Sequence, residues 1–78
     1  LYIHIMNKEL YLMLKTSAKA DEAKALLTLK LLGQNPAGIG DHSTKDFYEN
    51  AEEALARLCD AKDRLAVLEE VASSGVKI

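Results

Sequence analysis

The chain has 78 residues, 49% of them hydrophobic and 28% charged, with a formal net charge of −2. This length allows one domain at most, with a core so small that such folds often depend on disulfides, metals or association. The lone cysteine, Cys59, excludes an internal disulfide and fits a reducing, cytoplasmic setting. The small charge gives no global attraction to nucleic acid or anionic lipid, and no apolar run reaches the ~18 residues of a membrane span.

Taken in chain order, the first segment is ambiguous. Tyr2-Ile3-His4-Ile5 is β-prone, as is Val76-Lys77-Ile78 at the other end. Residues 1–6 and 73–78 are read as irregular or extended tails, with His4 in a tail rather than in a ligand set. His4, Asn7, Lys8 and Glu9 interrupt the stretch from Leu1 to Leu14, so it is neither a span nor a secretory signal.

Asn7 is placed to cap a helix whose first turn holds Glu9, a charge favoured at the positive end of the helix dipole. No proline or glycine occurs from Asn7 to Leu32, and Ala, Leu, Lys and Glu dominate. Gly33 is expected to supply a left-handed stop, with Pro36 soon after. Helix 1 is therefore expected over about residues 7–32.

This helix carries two apolar stripes. Leu10, Tyr11, Leu14, Ala18, Ala25, Leu29 and Leu32 fall on one side at 3.6 residues per turn; Met13, Ala20, Leu27 and Leu31 fall well away from it, flanked by Leu12 and Ala23. One stripe serves a hairpin partner. The second asks for a further neighbour, so Met13, Ala20, Leu27 and Leu31 are the expected oligomer interface. Asp21 and Glu22 interrupt the first stripe and are read as pointing sideways to solvent; the alternative is a polar layer that sets register.

Residues 33–43 form the only substantial loop, with three glycines and a proline. It is longer than the usual ~2–8 residues between bundled helices. Such a loop is packed by its own side chains, with Ile39 as plug, or functional. Ser43 with Asp46 resembles a capping box, His42 and Phe47 occupy staple positions, and Thr44 can cap instead. Helix 2 is expected over about residues 44–72. Phe47, Ala51, Ala54, Leu58, Ala61, Leu65, Leu68 and Ala72 make one unbroken heptad seam along it, and Cys59 at its border reads as a small buried thiol. Glu53 with Arg57 and Asp60 with Arg64 stand four apart and can pair along the helix.

Charge is uneven. Between Asn7 and Leu32, five lysines (Lys8, Lys15, Lys19, Lys24, Lys30) oppose Glu9, Asp21 and Glu22. Between Thr44 and Ala72, Lys45, Arg57, Lys62 and Arg64 oppose eight acidic residues. Mutual attraction between a basic and an acidic helix is the simplest reading. The fold class expected is all-α: a long antiparallel helical hairpin in a single domain, dimerising into a four-helix bundle.

No constellation points to chemistry. Asp41-His42-Ser43 is consecutive and cannot converge as a triad. His42 with Asp41, Asp46 and Glu49 is a weak metal signature, and no Glu-x-x-His pair exists. Glu49, Glu52 and Glu53 belong to a solvated acidic face. Gly38-Ile39-Gly40 lacks the strand and the Gly-Lys-Ser/Thr of a phosphate loop. The expectation is a non-enzymatic interaction module with no cofactor or metal. Its candidate surface is Ile39, Asp41, His42 and the exposed aromatic Tyr48. The alternative is polyanion binding through Lys15, Lys19 and Lys30; the third reading is a metal-dependent site near His42.

The run from Gly38 to Thr44, continued by Asp46-Phe47-Tyr48 and Asn50-Ala51-Glu52-Glu53-Ala54-Leu55, resembles small uncharacterised proteins of marine cyanophages. So do Lys8-Glu9-Leu10-Tyr11 and Asp60-Ala61-Lys62-Asp63-Arg64-Leu65, and the likeness spans about Met6 to Val71. The resemblance implies a phage accessory protein acting on a host or phage protein in the host cytoplasm, and carries no active site. The residues before Met6 and after Val71 depart from it and, if foreign to the native sequence, stand outside fold reasoning.

Overall fold

The computed structural model describes residues 7–34 and 44–74. They form two helices, α1 (Lys8–Gln34) and α2 (Thr44–Ser74), packed against each other as a hairpin. The expected all-α hairpin is the fold. Its helices run antiparallel, because rising numbers on α1 meet falling numbers on α2: Lys15 pairs with Glu69, and Glu22 with Lys62.

Asn7 caps α1 as its chemistry requires. Its side-chain oxygen accepts the Leu10 amide at 2.7 Å, and its carbonyl accepts the Tyr11 amide at 3.0 Å. At the far end, Gly33 does not stop the helix, which continues through it to Gln34. Glycine permits a left-handed turn without imposing one. α2 likewise runs through Ser73, whose hydroxyl donates to the Glu69 carbonyl at 2.7 Å without leaving helical geometry. The Ser43 cap, the His42 staple, Ile39, and residues 1–6 and 75–78 of the two tails lie outside the described residues; Ser73 and Ser74, expected in the second tail, instead belong to the last turn of α2.

The core is two matching lines. Ala18, Ala25 and Leu32 on α1, and Ala54, Ala61 and Leu68 on α2, recur every seven residues and are buried; Ala72 extends the second line. Antiparallel packing sets the leucine of each line beside the alanine end of the other. The alanines let the backbones approach closely, and Ala61 is wholly inaccessible. Phe47, Ala51, Leu58 and Leu65 flank the line, half-buried, so the whole helix 2 seam faces its partner.

Two expectations about packing need correction. Leu10 and Leu14, placed on the first stripe of α1, are exposed. Leu10 sits about 80° off the Ala18 line at 3.6 residues per turn, and Leu14 borders an open groove with Ser17, Val67, Leu68 and Val71. Cys59 is exposed, not buried, because it falls about 160° from Ala61 on the outer side of α2.

Candidate functional site: an uncovered apolar face on α1

Between the helices, polar side chains border the alanine seam. Arg64 donates to Asp21 at 2.7 Å and to Asp60 at 3.1 Å. Lys62 lies 3.3 Å from Glu22. Lys15 lies 3.7 Å from Glu69, which also accepts the Tyr11 hydroxyl, and its ammonium stands 5.6 Å from the Tyr11 ring centroid. Asp21 and Glu22 therefore do not simply point to solvent. They cross to α2 and form a polar border along the seam, nearer to the register-setting alternative.

The polarity of these pairs corrects the simple picture of a basic helix attracted to an acidic one. Lys15–Glu69 joins a base on α1 to an acid on α2, but Asp21–Arg64 and Glu22–Lys62 run the other way. Attraction is local because solvent screens charges beyond about 8–10 Å, so neighbours decide and helix totals do not. The pairs within α2 form as expected, Glu53–Arg57 at 3.3 Å and Asp60–Arg64 at 3.1 Å.

These contacts shift titration. The Arg64 hydrogen bond holds the Asp21 carboxyl below the usual carboxylate range, and the same bond raises Arg64. Donation to Glu69 raises Tyr11, because the neutral phenol is the donor. Lys15 is raised by its contact with Tyr11 and then by the charge of Glu69.

The expected sites are distributed as follows. Tyr48 is 59% exposed, its ring in an edge contact with Phe47 at 6.0 Å. Ile39, Asp41 and His42 lie outside the described residues, so the loop surface and the His42 metal reading lie there too. Among the described residues no three His, Cys, Asp or Glu side chains cluster as metal ligands, and no helix is long and apolar enough to cross a membrane. Of the polyanion lysines, Lys15 is engaged by Glu69 and Tyr11. Lys19 and Lys30 have no ion-pair partner among the described residues.

The four residues of the second stripe come together. Met13 (55%), Leu27 (56%) and Leu31 (52%) are more than half exposed, and Ala20 lies exposed between them. At 3.6 residues per turn they share an arc of about 40°, roughly opposite the buried Ala18 line. Leu12 and Ala23 are exposed beside them. The sequence pattern missed the groove along Leu14 and Val67, because it arises only where the flanks of two helices meet.

No protein-family model, curated protein or solved structure matches the chain.

Proposed function

We propose that this hairpin is a non-enzymatic protein-interaction module that self-associates through the outer face of α1. The observation behind this reading is the distribution of apolar bulk. The buried set is five alanines and two leucines, while Met13, Leu27 and Leu31 are uncovered. A buried alanine methyl contributes about 0.8 kcal/mol, against roughly 1.5–3 kcal/mol for a leucine side chain. About half of the surface of Met13, Leu27 and Leu31 is therefore still open to burial in the isolated hairpin.

A second copy covering that face supplies the missing burial, and a dimer is the smallest assembly that does so. On this reading the loop and the start of α2, with Tyr48 at their edge, carry contacts to a different protein. The likeness to cyanophage proteins makes that partner a host or phage protein met in the host cytoplasm. Light scattering across a concentration series tests the reading. A mass of two chains, reduced to one by Leu27→Glu with helicity retained, supports it. A single-chain mass at every concentration overturns it.

A further inference from the structure

We infer that the occupant of the α1 face is a second copy lying antiparallel, with Ala20 on the two-fold axis. This deepens the self-association reading and rests on it. The stripe is nearly symmetric about Ala20: Met13 lies seven residues before it and Leu27 seven after. Glu9 lies eleven before and Leu31, next to Lys30, eleven after. An antiparallel copy centred on Ala20 sets Met13 of each chain against Leu27 of the other. Two alanines then meet at the axis, where a short side chain permits close approach.

The charges select this register. Glu9 and Lys30 are exposed and have no ion-pair partner among the described residues. In the antiparallel pair each Glu9 comes level with Leu31 of the second copy, one residue (about 1.5 Å) along the axis from Lys30 and within reach of its long side chain, twice by symmetry. A parallel pair sets Glu9 against Glu9 and Lys30 against Lys30, which repels. An antiparallel pair centred between Ala20 and Ala23 sets Lys19 against Lys24. Of these three arrangements, the Ala20 axis is the one that matches both bulk and charge.

The geometry also fixes the architecture. The stripe faces away from α2, so the four helices lie in a row, α2–α1–α1–α2, and not in a square bundle. The groove along Leu14 and Val67 and the exposed Cys59 stay outside the contact.

Cysteine cross-linking in a Cys59→Ser background reads the register. Ala20→Cys links to itself under mild oxidation. Met13→Cys does not, because the two positions stand about 21 Å apart along the axis at 1.5 Å per residue. A mixture of Met13→Cys and Leu27→Cys chains links. Glu9→Lys or Lys30→Glu alone raises the dissociation constant about three- to tenfold, and the double swap restores it. Leu14→Glu and Val67→Glu leave the mass of two chains intact. A two-chain mass with Met13→Cys linking to itself, or with Leu14→Glu dissociating the pair, overturns the antiparallel row while self-association stands. A single-chain mass throughout overturns both.

Discussion

Asp21 is the residue on which the border of the seam turns. Its carboxylate takes the guanidinium of Arg64 across the seam and stands 4.0 Å from Lys24 on its own helix. A depressed folded pKa contributes stability that is fully present above the unfolded value of about 3.9 and is lost as pH falls through the folded one. Helicity followed by circular dichroism should therefore show Asp21→Asn less stable than the parent near neutral pH. The two should converge in acid below about pH 4. A gap that persists unchanged in acid would assign the loss to packing and not to the charge. Tyr11 works in the opposite sense. Its raised pKa makes the contribution of the bond to Glu69 fully present below the unfolded value of about 10, and lost only as pH rises beyond that through the folded one. At the same scale, Cys59 on the outer face of α2 should react fully with a thiol reagent without denaturant. Protection would show that this face is covered.

The helices themselves owe their extent to local rules and their contact to a few small side chains. Asn7 starts α1 by satisfying an amide that the helix leaves orphaned. Gly33 sits within the final turn, and a methyl group added there meets no atom within 4 Å. Gly33→Ala should stabilise the hairpin by about 0.4–1 kcal/mol, since it restricts the unfolded chain without a clash. A lower melting temperature would mean that the glycine is needed for the turn that follows. Ala61 is the reverse case. It has no exposed surface and faces a closely packed helix. Ala61→Leu should force the helices apart and cost about 1–3 kcal/mol, read as a fall in melting temperature. Tolerance without loss would show that the seam is looser than its burial implies.

For the molecule as a whole, the imbalance between inner and outer surfaces dominates. Two helices packed as a rod of 53 × 16 × 14 Å have a high ratio of surface to interior. Seven small-to-medium residues fill the seam, while leucines and a methionine stand outside it. If a second copy covers α1, mass action ties stability to concentration. The melting temperature should then rise with protein concentration in the parent and become flat in Leu27→Glu. A flat response in the parent would leave the outer leucines without a structural role.

The sequence by itself determined the two helices, the capping of the first and the line along which the second faces its partner. Each depends on interactions within a few turns: the Asn7 cap, the absence of proline, and the heptad spacing from Phe47 to Ala72. It also showed that α1 has more apolar surface than one neighbour covers, because a wheel of 3.6 residues per turn separates Met13 and Leu27 from Ala18. Only the tertiary structure decided which residues sit at the bottom of the seam. It buried Ala18, Ala25, Ala54 and Ala61 and left Leu10, Leu14 and Cys59 outside. It also decided that Asp21 and Glu22 reach across to Arg64 and Lys62, against the overall charge of the two helices. The reason is that a stripe read from sequence fixes a direction around one axis. Depth and ion pairing depend on how closely two axes approach and on what stands opposite, and those are properties of the pair.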